Sequence, residues 1–214
     1  IEWWFEERVR EADVCVDDAL RILGADLDAS LCGGLIDWRG ATRSSLLVEG
    51  ERLVRLFLEE RGDLRARGVE VPFEIPIIDP IRGEQMPRPL IGYFDMKLLS
   101  GNVVELKTAR AAFSAIAFRT NLQFAAYRTA SRYAGVDVEV YALVRTKTPR
   151  IQHVVLAHDG SISRWFMHTA ARIERAILAG HFPPAPGPLC ASCEYRSTCL
   201  GEGENVEVED AEAA

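Results

Sequence analysis

Asp95, Glu105 and Lys107 are the residues of this sequence best suited to do chemistry together. Gly92-Tyr93-Phe94-Asp95-Met96 reads as a strand, and Glu105-Leu106-Lys107 follows ten residues after Asp95 on a second one. In Val103–Thr108 the side-chain period of two puts Glu105 and Lys107 on one face, with Val104 and Leu106 on the other. Leu99-Ser100-Gly101-Asn102 reads as a tight hairpin-like turn, so Asp95 and Glu105 fall on neighbouring strands. Two carboxylates and an ammonium on one sheet face can hold a divalent cation, Mg²⁺ or Mn²⁺, and polarise a water. That is the minimum needed to hydrolyse a phosphodiester. Glu-x-Lys on a strand face is also a common solvated ion pair. What favours chemistry is the apolar setting of Asp95 among Leu90, Ile91, Tyr93 and Phe94, where an unpaired carboxylate is costly. Thr108 and Arg110 extend the polar end, where a phosphate would arrive.

Two further groups carry chemistry. Gln123 and Tyr127, four apart on the helix that follows, project from one face. An amide and a phenol one turn apart suit hydrogen bonds to a phosphate or to the lysine, although a polar stripe on a half-buried helix has the same pattern. Cys190, Cys193 and Cys199 then cluster in a short Pro-flanked segment. An odd total of five cysteines in an apparently cytosolic chain disfavours disulfides. Zinc and a 4Fe–4S cluster both remain, and both want a fourth ligand. Cys32, in a loop with Gly33-Gly34, fits that role better than Cys15 on its helix among acids.

The elements that must position these residues follow from the apolar spacing. A first helix is expected over about Ile1 to Leu23, ending near Gly24, with a loop through Asp28–Gly34. A second helix, capped by Thr42 or Ser44, runs to about Arg61 and stops at Gly62. Strands are expected at Val69–Ile75, Leu90–Leu99 and Asn102–Thr108, the first two separated by an exposed Pro-rich loop, Pro76–Pro89. A helix over about Ser114 to Tyr133 precedes strands at Val138–Val144 and Ile151–Ala157, and a last helix spans about Ile162 to Leu178. This order predicts an α/β fold with one mixed sheet flanked by helices.

Composition bounds the reading. With 214 residues, 48% of them hydrophobic, the chain can bury one sizeable core. No apolar run approaches the roughly 18 residues of a membrane span, so the expectation is a soluble cytoplasmic protein. The first residue is Ile, which reads as numbering that starts inside a longer product or after a removed tag. A formal charge of -7 argues against a protein that coats nucleic acid, but not against a nuclease, whose metal site needs acids. Six of the acids lie after Cys199 with no base among them, an expected solvated tail at 201–214.

Taken in order, Gly-Tyr-Phe-Asp, Glu-Leu-Lys-Thr, Gln-x-x-x-Tyr, Gly-His-Phe-Pro-Pro and Cys-x-x-Cys-x-x-x-x-x-Cys resemble the RecB-type nucleases of the PD-(D/E)xK superfamily. The closer likeness is to their iron–sulfur branch, which includes CRISPR-associated exonucleases and phage relatives. The resemblance covers about Cys32 to Cys199. It implies a restriction-endonuclease-like fold in a single nuclease domain, 1–200, and a metal-dependent DNA exonuclease acting on single strands or ends. It implies Asp95 and Glu105 as metal ligands with the Leu106 backbone carbonyl adjoining, Lys107 at the attacking water or the phosphate, and Gln123 and Tyr127 holding the DNA strand. Cys32, Cys190, Cys193 and Cys199 would bind a 4Fe–4S cluster clasping the N- and C-terminal segments. Its setting would be recombination, repair, phage DNA replication or CRISPR adaptation, with partner proteins from those processes.

The chain departs from its relatives at one position. They usually carry a metal-binding His after a Gly on the helix before these strands. Here Gly50-Glu51-Arg52-Leu53-Val54 puts Val54 there, and all four histidines lie downstream of the site motifs. Glu51 is the nearest replacement, with Glu49 behind it, although Glu51 can equally pair with Arg55. Arg110, Arg119, Arg128, Arg132, Arg145, Lys147 and Arg150 are expected to line a single-strand groove, with Tyr127 or Phe113 stacking on bases. The rival reading is a non-catalytic DNA-binding or complex-assembly module that keeps the nuclease fold as a scaffold.

Overall fold

The structure is a computed structural model that describes residues 1–32, 41–182, 184–187, 190–191 and 193–201, with the backbone alone at 31 and 32. The chain divides into two compact units, Ile1–Ala171 and Arg172–Ala214. The acidic tail lies outside the described residues, apart from Gly201.

The first unit is built on a five-stranded sheet in chain order: β1 (Ala66–Ile75), β2 (Leu90–Leu98), β3 (Val103–Ala109), β4 (Val138–Val144) and β5 (Arg150–Leu156). Only β3 and β4 run parallel; every other neighbouring pair is antiparallel. Between β2 and β3 the chain turns where Gly101, at φ +98°, donates its N–H to the Leu98 carbonyl at 3.0 Å. The connection from β3 to β4 is helical, as a parallel pair requires.

Both sheet faces are covered. On one, α1 (Glu2–Val9), α2 (Val16–Cys32) and α3 (Arg43–Arg61) bury Trp4, Phe5, Leu53, Val54 and Phe57 against Met96, Val104 and Leu143. On the other, α4 (Ala115–Thr120), α5 (Leu122–Ala134) and the part of α6 (Gly160–Leu178) up to Ala171 pack Phe118, Phe124, Tyr127 and Phe166 against Phe94, Val103 and Val140. This arrangement bears out the expected mixed sheet flanked by helices. Among the described residues no helix is long and apolar enough to cross a membrane. The second unit carries the short helix α7 (Arg196–Leu200) and the three downstream cysteines, none of them in a disulfide.

Several boundaries differ from expectation for local physical reasons. The first helix is two. Glu11 at φ +63° ends α1, and the Asp18 carboxylate accepts the Cys15 N–H at 3.0 Å to start α2. Gly24 does not stop α2, which packs on α3 and runs through to Cys32. Cys32 therefore ends a helix instead of lying in a loop, and Gly33-Gly34 lie outside the described residues. The expected helix over Ser114–Tyr133 breaks at Asn121, whose side chain caps α5 by accepting from the N–H groups of Gln123 and Phe124. The Thr42 cap is observed as a full capping box with Ser45. Nor is the Pro-rich segment merely an exposed loop: Ile77, Asp79 and Met86 are buried, and Ile78 bridges Gln85.

Gly92 stands directly opposite Phe73 on β1. A methyl at that position would come within 2.5 Å of the Phe73 ring. That ring packs on Phe94 at a tilt of 34° with centroids 4.6 Å apart and meets Tyr127 edge-on at 5.9 Å. Gly92→Ala should therefore displace the ring and cost about 1–3 kcal/mol. Urea unfolding should show this, and a Phe73→Leu background should remove much of the penalty.

Candidate active site

The register that pairs Met96 with Val104 and Lys97 with Val103 sets Asp95 across from Glu105. Asp95 Oδ2 accepts the Leu106 N–H at 2.6 Å, which locks the carboxylate to the β3 backbone. Glu105 is fully buried, its carboxylate paired with the Lys107 ammonium and accepting no hydrogen bond of ordinary geometry. The three sequence-predicted residues are thus brought together. Beside them, Gln123 Nε2 donates to the Tyr127 hydroxyl at 3.1 Å, and that hydroxyl donates to the Tyr93 carbonyl at 2.7 Å.

Two residues that sequence reasoning missed join this group. On β1 the pairs Val69–Met96 and Val71–Phe94 bracket Glu70 opposite Asp95. Glu70 takes φ +49°, unusual for a residue other than glycine. Around it both strands turn over. Val69 and Met96 belong to the core beneath α1–α3, whereas Phe73 and Phe94 belong to the opposite core. Helix α1 then supplies Glu2. Carboxylate oxygens of Glu2, Glu70 and Asp95 lie within 4.8 Å of one another, the one such group of potential metal ligands among the described residues. Only the strand register could have pointed to Glu70. Glu2 comes from a separate helix, and no spacing in the sequence relates it to Asp95.

The group opens on a cavity of about 720 Å³ that Glu2, Glu70, Lys107 and Thr108 share with an apolar wall. From α3 that wall takes Gly50, Leu53 and Val54; Glu51 is not part of the lining. The Val54 position therefore does face the site. Glu51 does not occupy it, and Arg55 lies 3.7 Å from Asp17 instead of pairing with Glu51.

The expected single-strand groove is not assembled around Tyr127. Its side chain is buried among Phe73 and Phe94, so it cannot stack on bases. Phe113 packs against Phe118 and Phe124. Arg145 pairs with Glu49 at 3.2 Å, and Arg128 donates twice to the Ala157 carbonyl, at 2.7 and 3.0 Å. Tyr127 instead anchors β2 two residues before Asp95, making it a positioning residue.

Electrostatics mark the site as short of positive charge. Burial pushes the Asp95 carboxyl up to about 6, with Glu105 and Glu70 adding to the rise against the Leu106 N–H and Lys107. Glu2 is raised by burial and then by Asp95 and Glu70. Burial also raises Tyr127, keeping it a neutral donor. Crowded carboxylates beside the Lys107 ammonium form a donor set suited to a hard divalent cation.

Two outcomes follow from the crowding. Glu70→Gln should raise the thermal midpoint of the protein in EDTA, because it removes repulsion, and should shrink the further rise on adding Mn²⁺. The pH dependence has a definite sign. Between about 4, where a free Asp titrates, and about 6, native Asp95 holds a proton that the unfolded chain has lost. Its contribution to metal-free stability is therefore present below pH 4 and lost as pH rises to 6. The Mn²⁺-induced rise in midpoint should grow over the same window. Asp95→Asn should flatten both trends, as read by thermal melts across pH.

Comparison with known proteins gives the same reading of the fold. The chain's structure is similar to that of a candidate exonuclease from Eubacterium rectale, with TM-score 0.52 and 10% identity, covering 92% of this chain and 79% of that one. A second solved structure, of SSO0001, aligns over 92% of this chain and 95% of its own at 13% identity, with a looser TM-score of 0.45. No curated protein matches in sequence. The profile of the PD-(D/E)XK nuclease superfamily matches residues 2–200, and the chain belongs to that superfamily.

Proposed function

We propose that this protein is a Mg²⁺- or Mn²⁺-dependent deoxyribonuclease that degrades DNA from ends or along single strands, in recombination, repair, phage DNA metabolism or CRISPR adaptation. The observation that carries the reading is the convergence of Asp95, Glu105 and Lys107 behind the cavity that Lys107, Glu70 and Glu2 line, with Glu70 and Glu2 completing the acidic side. Asp95, Glu70 and Glu2 would hold the cation, with Glu105 and the Leu106 carbonyl beside them. Glu2 takes the part expected of helix α3, where Val54 offers no ligand. Bound there, a divalent cation supplies Lewis acidity and lowers the pKa of water. Lys107 orients the attacking water and offsets charge that builds on the phosphate oxygens. Tyr127 and Gln123 hold β2 so that Asp95 keeps its place. Thr108, exposed at the cavity edge, offers a hydroxyl to the incoming phosphate.

A 4Fe–4S cluster on Cys190, Cys193 and Cys199 is part of the same proposal. All three thiols are free, and the Gly187 N–H donates to Cys190 Sγ at 3.3 Å, the kind of contact that supports a thiolate ligand. The fourth thiolate is the one that sequence reasoning assigns to Cys32, whose side chain lies outside the described residues. Such a cluster would be structural and would take no part in hydrolysis.

Lys107→Ala and Asp95→Ala should each lower Mn²⁺-dependent DNA degradation by about 10²-fold or more. Glu2→Gln should weaken the Mn²⁺ dependence before it abolishes turnover. End-labelled linear and closed circular substrates, single- and double-stranded, separate cutting from ends from internal cutting. If the Lys107 and Asp95 variants degrade DNA as the parent does, the nuclease reading is wrong and the scaffold reading stands. Anaerobically purified protein should be brown and absorb near 400 nm; colourless protein with bound zinc would overturn the cluster.

A further inference from the structure

The face that carries α5 and α6 holds a second cluster of chemistry that the active site does not use. Two adjoining depressions lie between segment 76–89, the end of α5 and the start of α6, and both are lined by Pro80 and Arg164. Three large apolar side chains stand out of them into solvent: Ile81, 70% exposed, Tyr133, 59%, and Trp165, 41%. Arg132 and Arg164 are the cations of the lining, and neither guanidinium has a hydrogen-bond or ion-pair partner among the described residues. No carboxylate lines either depression. In a chain of net charge -7, the lining of these depressions carries the opposite sign.

The exposure is built in. Segment 76–89 is pinned by hydrogen bonds of 2.8 Å between Asp79 and Glu84, Gly83 and Asp79, and Met86 and Ile77. The fully buried Asp79 carboxylate accepts the Ile81 N–H at 2.9 Å and meets His168 Nδ1 of α6 at 3.2 Å. Ile81 is thus held outward by a rigid hairpin seated on α6. Asp159, just ahead of α6, is occupied in capping that helix through Ser161 and Ile162.

The pairing of chemistries points to one kind of ligand. Arg132-Tyr133 and Arg164-Trp165 present the same pattern twice, an arginine followed by an aromatic residue, from two different helices. Guanidinium groups neutralise phosphates, and exposed aromatic faces stack on bases that are not already paired. A duplex would satisfy the arginines but leave the rings without partners. We propose that this face is an exosite that binds a single strand of nucleic acid. The proposal rests on the reading of the protein as acting on DNA, but its test does not depend on hydrolysis.

The experiment is fluorescence anisotropy with a labelled 20-nucleotide oligothymidylate in EDTA, where no cleavage occurs. Arg132→Ala with Arg164→Ala should weaken binding by at least tenfold and reduce the slope of log affinity against log salt by about 1.4, for two lost phosphate contacts. Trp165→Ala should weaken binding with little change in that slope, and Trp165→Phe should restore most of it. The oligonucleotide should quench the tryptophan fluorescence of the parent, and Trp165→Phe should lose that quenching. Asp95→Asn should bind like the parent, so a dead active site and a missing exosite are distinguishable. Equal binding by the parent and the arginine variant overturns the proposal. So does binding of a duplex as tightly as the single strand. Absence of oligonucleotide binding, with polyglutamate bound through the same arginines, would assign the face to an acidic protein partner and also overturn it.

Discussion

Several carboxylates share a small, partly buried space around Asp95, and much of the first unit can be read as the frame that keeps them there. Burial and like charge drive Asp95 towards its neutral form, and Glu2 is raised alongside it. Left to itself, such a cluster would disperse into solvent. It persists because each member is tied to a different rigid element. Glu2 sits on α1, Glu70 on β1, Asp95 on β2 and Glu105 on β3. The Leu106 N–H grips Asp95 from the neighbouring strand, and Lys107 lies against Glu105. The repulsion among these carboxylates is what a divalent cation held between them would relieve.

The aromatic group behind the site holds the strands against that repulsion. Phe73, Phe94 and Tyr127 pack with centroids 4.6 to 5.9 Å apart. Gly92 leaves room for the Phe73 ring, and the Tyr127 hydroxyl closes on the Tyr93 carbonyl. A residue read first as a ligand for DNA is better understood as a brace. Side chains locked by packing fix the place of Asp95 more reliably than loops would.

How legible the site was depended on how local each relationship is. Glu105 and Lys107 share a face because strand side chains alternate, and a tight turn set Asp95 opposite them. Both facts follow from short-range geometry, and both appear in the structure. The Thr42 cap was readable for the same reason. The break at Glu11 and the run of α2 through Gly24 were not, because packing of α2 on α3 outweighs the local stop signal. The Pro-rich segment read as surface by composition, yet it buries Asp79 against a histidine 89 residues further along the chain.

By itself the sequence determined the strand alternation, the turn and the order of motifs, and with them the shared placement of Asp95, Glu105 and Lys107 and the membership of a nuclease superfamily. The alternation and the turn depend on neighbours within about a dozen residues, where covalent geometry alone constrains the answer. Only the tertiary structure decided what completes the acidic shell. Glu2 reaches Asp95 across more than ninety residues of chain, and Glu70 reaches it through a register that both strands adopt as they turn over. The aromatic brace, the cavity and the outward-facing Arg-aromatic pairs belong to the same class. Long-range packing selects such contacts, and no period in the sequence encodes them.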